Sequence, residues 1–142
     1  MKVAGILQTK GGDCVTILPS ASLADASKAL SEHGIGALVV ADGKGTVRGI
    51  LSERDIVRKI AEKGPLALEM VISSVMTAEV VTITRDETVQ DAMAKMSGRR
   101  IRHLPVVEEG SLNGMISIGD VVKHRIEEVE SEASTLRAYI AS

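Results

Sequence analysis

The feature that most constrains the fold of this chain is a seven-residue motif that occurs twice. The sequence reads GILSERD at positions 49–55 and GMISIGD at positions 114–120, 65 residues further on. In each copy a glycine and two apolar residues precede a serine, and an aspartate follows that serine by three positions. A serine at a helix N-cap with an acid at the third helical position satisfies free amide groups of the first turn. Each copy therefore predicts a strand that ends at the serine and a capped helix that follows it.

The duplication extends well beyond this motif. Positions 15–40 and 81–106 are identical at nine of 26 places, with an offset of 66 residues. The offset changes by one residue in a hairpin turn, where insertions and deletions are tolerated. Two long copies indicate an internal duplication rather than a solenoid, so we expect two halves related by a pseudo-twofold axis, with their apolar sheet faces in contact.

Apolar spacing and turn residues predict the order of elements in each half. In the first half they predict a strand at 15–18, a helix after Ser22, strands at 37–41 and 47–51, and a helix at 52–63. The fold class is α/β (α+β), a tandem of β-α-β-β-α repeats. The first repeat is assigned to residues 12–63 and the second repeat to residues 76–126. The connecting segment is assigned to residues 64–78 and is expected to contain a short helix near 72–76. The apolar patch in residues 1–12 is expected to pack on the first repeat.

The last helix continues beyond the second repeat, over residues 127–142. It contains no helix breaker, and its apolar residues follow a heptad pattern: Val122, Ile126, Val129, Ala133, Leu136 and Ile140. At about 1.5 Å per residue, a helix of some twenty residues is ~30 Å long, which is further than one half-domain covers. We therefore expect a homodimer in which a second chain covers this helix. A helix that folds back on its own domain is the alternative.

Composition argues against several classes of protein. The 142 residues are 44% apolar and 25% charged, as in ordinary globular chains, and no apolar run approaches the roughly 20 residues that span a bilayer. A net charge of −2, with one tyrosine and neither tryptophan nor phenylalanine, disfavours nucleic-acid binding. A single cysteine and no recognisable secretory leader predict a cytoplasmic location. The histidine and serine spacings support neither a metal site nor a catalytic triad, so no enzyme is expected.

The two serine–aspartate junctions predict two polar pockets. Amide groups at a helix start can bind a phosphate, and a carboxylate can accept hydrogen bonds from sugar hydroxyls. Plain helix capping, with no ligand, is the alternative reading of the same residues.

Several motifs together resemble the CBS domain, named after cystathionine β-synthase. They are the VTI strand at 81–83, the TVQDA helix start at 88–92, the RHLPVV strand at 102–107 and the serine–aspartate junction, in the family's order and spacing. The resemblance covers both repeats and implies a tandem CBS pair, often called a Bateman module. It also implies reversible binding of adenosine-containing ligands such as AMP, ADP, ATP, NAD or S-adenosylmethionine, in a protein that senses and regulates rather than catalyses.

The resemblance implies a role for particular residues in each half. Asp120 and Asp55 would bind the ribose hydroxyls, and Ser117 and Ser52 would face the phosphate. The ligand-binding residues expected in the second half are Val80, Val81, Arg100, Ile101, Arg102, His103, Pro105, Ser117 and Asp120. Those expected in the first half, which has fewer cations, are Val15, Ile35, Gly36, Ala37, Ser52, Arg54 and Asp55.

The second half is the more cationic, and it is expected to be the better site. Arg99, Arg100, Arg102 and His103 stand where the first half has His33, Gly34, Gly36 and Ala37. Arginine forms bidentate contacts with phosphate, although a solvated charged face is the alternative for Arg99 and Arg100. The apolar candidates could hold adenine or could simply belong to the core.

The function predicted from the sequence is that of a stand-alone CBS pair that binds AMP, ADP, ATP or NAD as an energy or redox sensor and regulates a protein not yet identified. The alternative is a ligand-free interaction module that dimerises through its C-terminal helix.

Overall fold

The computed structural model describes residues 1–11 and 14–141. The predicted start of the first repeat at residue 12 and the last residue of the C-terminal extension lie outside this part of the chain. Five helices and five strands follow one another in the order α1 Val3–Lys10, β1 Thr16–Ile17, α2 Leu23–His33, β2 Ala37–Ala41, β3 Val47–Ser52, α3 Glu53–Lys63, α4 Val89–Arg99, β4 His103–Glu108, β5 Ser111–Ser117 and α5 Ile118–Ala141.

Four helices begin with the same reciprocal pair of hydrogen bonds. At the start of α3, the Asp55 amide donates to Ser52 Oγ (3.2 Å) and the Ser52 amide donates to Asp55 Oδ2 (2.9 Å). Ser117 and Asp120 make the equivalent bonds at 3.2 and 2.8 Å at the start of α5. Helices α2 and α4 have capping boxes of the same kind. The strand-to-helix junctions inferred from the repeated motif are thus present in both halves.

The two halves form separate small sheets. In the first repeat, β1 pairs in parallel with β2, which pairs antiparallel with β3. In the second, β4 and β5 form an antiparallel hairpin, and the expected first strand is reduced to a parallel bridge between Ile83 and Val106. The pairing ends there because the next amide on the β4 side, that of Arg85, donates to the Glu108 carboxylate at 2.6 Å.

Each half has its own apolar core, and α1 packs on the second one. Val3, Ile6 and Leu7 are buried in a cluster that contains Ile83 and Leu104 of the second repeat. The expectation that residues 1–12 pack on the first repeat was therefore wrong. The apolar residues of α1 are buried, as the sequence predicted. Which of the two cores they fill depends on the path of the chain, and a local sequence pattern does not reveal this path.

The connecting segment packs on the first repeat, as the counterpart of α1 on the second. It forms two short 3₁₀ helices, Gly64–Glu69 and Ile72–Ser74, where the sequence predicted one short helix. Ile72 is fully buried in the core of the first repeat, and its amide donates to Ala21 O at 2.8 Å. The Val3 amide donates in the same way to Glu87 O at 2.9 Å in the second repeat. Each repeat is thus completed by the segment that precedes the other.

These features confirm the predicted fold class, a tandem of related α/β repeats about a pseudo-twofold axis followed by a long C-terminal helix. Helix α5 contains 24 residues and makes contacts with α4, β5 and α1 near its start. Within the described residues, no helix is both long enough and apolar enough to cross a membrane.

Candidate functional site

A cavity of about 470 Å³ lies between the two repeats, at their strand-to-helix junctions. This volume is in the range of about 300–1,000 Å³ that is usual for small-molecule sites. Side chains from both halves and from the connecting segment line it: Gly36, Ala37, Ile50, Ser52, Glu53, Arg54, Asp55, Arg58, Thr77, Glu79, Val80, Val81, Arg100, Ile101, Arg102, His103, Ser117, Ile118 and Gly119.

The first repeat contributes its whole serine–aspartate junction to this cavity. Ser52 and Asp55 line it, together with Arg54 and Arg58 from the first turns of α3. The cap leaves Asp55 one carboxylate oxygen that makes no hydrogen bond within the described residues. That oxygen can accept hydrogen bonds from a ligand.

The connecting segment forms the adjacent wall. Thr77 and Ile50 exchange backbone hydrogen bonds, so the segment runs along the free edge of β3 before it enters the second repeat. This path brings Glu79, Val80 and Val81 to the cavity beside the junction of the first repeat. The sequence prediction had grouped Val80 and Val81 with the second-half site, as apolar candidates to hold adenine.

The second repeat contributes a cationic wall. Helix α4 ends at Arg99, and the left-handed conformation of its C-cap residue, Arg100 (φ 54°), turns the chain towards β4. Arg100, Ile101, Arg102 and His103 then line the cavity. The described residues of the lining include four arginines and three carboxylates. Such a site can attract an anion, and arginine suits phosphate in particular.

His103 faces the first repeat across the cavity. A Cβ atom at Gly36 would lie 3.5 Å from His103 Nε2 and 3.6 Å from Glu53 Oε1, which is ordinary van der Waals contact, so both side chains lie beside this glycine. Burial lowers the pKa of His103, and the nearby Lys10 charge lowers it further, while Glu53 and Asp120 oppose this shift. The imidazole is therefore biased towards its neutral form.

Asp120 occupies a different environment from Asp55. Its Oδ2 lies 2.6 Å from Lys10 Nζ of α1, and the same ammonium donates to Met115 O at 2.7 Å. Burial alone would raise the pKa of Asp120, but the hydrogen bonds from Lys10 and Ser117 outweigh it and lower the pKa below its usual value. Asp120 is thus ionised and paired, and it does not line the cavity.

Most of the residues predicted from the sequence lie together at this cavity, and four do not line it. Val15 and Ile35 pack against the apolar core of the first repeat, and Pro105 is buried within β4. Asp120 is held by Lys10. The two predicted sites share one cavity, because both junctions open onto the same space between the repeats.

Sequence reasoning missed several residues at and beside the cavity, among them Lys10, Glu53, Arg58, Thr77 and Glu79. Glu53 and Arg58 lie near the motif on α3, so helical spacing could have identified them. No local signal indicated Lys10, since its contact with Asp120 spans 110 residues. Within the described residues, no group of three or more histidine, cysteine, aspartate or glutamate side chains could hold a metal ion.

The fold and site define a class of protein: two fused α/β repeats that share a ligand-sized cavity at their junctions. The CBS domain family model matches residues 3–62 and 72–127. The chain therefore belongs to the CBS domain family, as a CBS pair, a class of regulatory module.

Relatives and solved structures agree with this assignment. The chain is 34% identical to the mitochondrial CBS domain-containing protein CBSX3 of Arabidopsis thaliana, over 97% of this chain and 71% of that protein. The crystal structure of the CBS-domain containing protein ATU1752 from Agrobacterium tumefaciens is similar with a TM-score of 0.85 and 45% identity, over 87% of this chain and 92% of that one.

A second similar structure contains adenosine ligands. The CBS domain pair of protein MJ0100, in complex with 5′-methylthioadenosine and S-adenosyl-L-methionine, has a TM-score of 0.81 and 27% identity to this chain. The match covers 90% of this chain and 98% of the MJ0100 chain.

Proposed function

We propose that this CBS pair binds an adenine nucleotide in the cavity between its repeats and serves as an energy or redox sensor that regulates another protein. One observation carries this proposal. A serine–aspartate junction, a cationic strand entry and several apolar side chains, including Val80, Val81 and Ile101, line the same cavity.

Each part of a nucleotide has a matching group in the cavity. A carboxylate can accept both ribose hydroxyls, the arginines suit phosphate, and the apolar side chains can cover the faces of adenine. AMP, ADP, ATP and NAD share these parts. The adenosine ligands of MJ0100 support the same class of ligand for a related fold.

A thermal-shift assay tests the proposal. A ligand at 100 times its Kd stabilises a protein by about 2.7 kcal/mol, which is several degrees in melting temperature for a chain of this size. We expect AMP, ADP, ATP or NAD to raise the melting temperature, with GMP and inorganic phosphate as controls. If adenine compounds and controls have the same effect, the proposed nucleotide site is wrong.

A second function rests on α5. Along its outer face Val122, Ile126, Val129, Leu136 and Ile140 are between 47% and 74% exposed. A stripe of this kind suits association with a second chain, so we also propose a homodimer through α5. An interaction module without a ligand would keep this contact and show no response to nucleotides. For the nucleotide sensor and for the interaction module alike, we propose that the protein regulates rather than catalyses and that it acts in the cytoplasm.

A further inference from the structure

The two segments that dock on the repeats differ where they reach the cavity. Helix α1 and the connecting segment make matching backbone contacts, through Val3 in one case and Ile72 in the other. Beyond these contacts the two segments make different hydrogen bonds. On β3 of the first repeat, the Thr77 backbone bonds to both polar groups of Ile50. On β5 of the second repeat, the counterpart of Ile50 is Met115, and its carbonyl accepts from the Lys10 ammonium at 2.7 Å instead.

This difference makes the two repeated aspartates unequal. Lys10 Nζ lies 2.6 Å from Asp120, and both side chains are partly shielded, with 36% and 24% of their surface exposed. Among the described residues, no ammonium or guanidinium forms an ion pair with Asp55, which lines the cavity. Lys10 and Ser117 both donate to Asp120 Oδ2, so a ribose hydroxyl at Asp120 would meet a carboxylate whose charge Lys10 already neutralises. A ribose hydroxyl at Asp55 would meet a carboxylate that forms no such ion pair within the described residues.

Lys10 is held in place by the helix that carries it. Val3, Ile6 and Leu7 of α1 are buried in the core of the second repeat, and two hydrogen bonds hold the ammonium itself. Because α1 is anchored by its buried residues and the Lys10 side chain by two hydrogen bonds, Lys10 can move only if both of its polar contacts are lost. The contact is therefore a partly exposed ion pair that a docked helix holds in place.

We propose that Lys10 determines where the ligand binds: it neutralises Asp120, so each chain takes one adenine nucleotide, with its ribose on Asp55. This inference rests on the proposed function. It reverses the order expected from the sequence, in which the cationic second half held the better site. The arginines of that half still serve the ligand, because they line the same cavity from the opposite side.

Calorimetric titration of AMP into the full chain and three variants tests the inference. The variants Asp55→Asn and Asp120→Asn are matched, since each changes the third residue of an equivalent helix cap. We expect one AMP per wild-type chain. Asp55→Asn should weaken binding about ten- to a hundredfold, as expected when a charge-assisted hydrogen bond to a ligand is lost, and Asp120→Asn should change it less than about threefold.

The variant Lys10→Ala tests the role of Lys10 itself, with Lys2→Ala at the other end of α1 as its control. Removal of Lys10 should leave the charge of Asp120 free for a second ligand and raise the stoichiometry to two, and Lys2→Ala should leave it at one. Two AMP molecules per wild-type chain, or an equal loss of affinity in both aspartate variants, would overturn the inference but leave the proposed function standing. If AMP, ADP, ATP and NAD all fail to bind to the wild-type and Lys10→Ala chains, both proposals are overturned.

Discussion

The backbones of Ile50 and Thr77 exchange two hydrogen bonds, each 3.0 Å long. This pair fixes the connecting segment to the edge of β3 and thereby sets the wall of the cavity formed by Glu79, Val80 and Val81. The position of that wall depends on the residue beside Ile50. A Cβ atom on Gly49 would lie 2.8 Å from Thr77 O and 2.6 Å from Met76 Sδ, so only glycine allows the two backbones to approach so closely.

The substitution Gly49→Ala should therefore destabilise the protein. We expect the free energy of unfolding to fall by about 1–3 kcal/mol, as in other over-packed sites, because backbone as well as side-chain atoms stand in the way. Chemical denaturation measures this change. Gly43→Ala is the matched control, since a Cβ atom there meets nothing within 4 Å. Equal stability of the two variants would show that the segment does not pack on β3 as described.

The packing of α1 on the second repeat leads to a second prediction. Leu7 is 3% exposed in the core that contains Ile83 and Leu104, so Leu7→Ala should lower the free energy of unfolding by about 2–5 kcal/mol. Denaturant titration of Leu7→Ala and of Gln8→Ala, an exposed neighbour on the same helix, separates packing from helix propensity. A loss below about 0.5 kcal/mol for Leu7→Ala would mean that α1 is not docked.

The environment of His103 predicts a pH dependence of stability. Burial, then the Lys10 charge, lowers its pKa in the folded chain, against opposing contributions from Glu53 and Asp120. Below the ordinary histidine value of about 6.5, the unfolded chain then binds a proton more readily than the folded chain. The stabilisation is complete above this value and declines as the pH falls.

The expected result is a melting temperature that falls between pH 7.5 and 5.5, and falls less in His103→Gln. Carboxyl groups with lowered pKa, such as Asp42 and Asp91, lose their contribution only at lower pH and do not interfere in this window. An identical slope for wild type and His103→Gln would refute the bias of His103 towards its neutral form.

The exposed stripe of α5 predicts that the C-terminal helix holds a homodimer. Leu136 and Ile140 are 59% and 74% exposed, and burial of each would contribute roughly 1.5–3 kcal/mol to association. A chain cut after Glu130 should therefore be monomeric by light scattering at micromolar concentration, where the full chain is dimeric. Ser134→Asp and Leu136→Asp offer a matched pair in the full chain, because both positions are exposed but only Leu136 belongs to the stripe. A truncated chain that remains dimeric would assign the contact to another surface.

The local structure of this protein was largely predictable from its sequence. A serine with an acid three positions later specifies a capped helix start almost by itself, and the repeated motif located two such starts correctly at Ser52 and Ser117. The apolar spacing likewise located α2 and the strands of the first repeat, because periodicity reports which face of an element is buried.

Long-range placement could not be predicted in the same way. The exchange of α1 and the connecting segment between the two cores depends on loop paths, and the Lys10–Asp120 contact joins residues that are far apart in the chain. From the sequence, the second-half site was therefore predicted to be the better one on the basis of its arginines alone. It could not show that a lysine from the first helix already neutralises the aspartate of that site.

Native mass spectrometry of the full chain with AMP addresses the proposed nucleotide site without any assumption about its effect on stability. The proposal predicts a species carrying one AMP per chain, which GMP at the same concentration does not form and which Arg102→Ala forms less readily. Because Arg102 lines the cavity and is exposed, its removal should weaken phosphate binding without unfolding the chain. A spectrum that shows only unbound chain with millimolar AMP, ADP, ATP and NAD in turn, or the same adduct with GMP, would contradict the proposal.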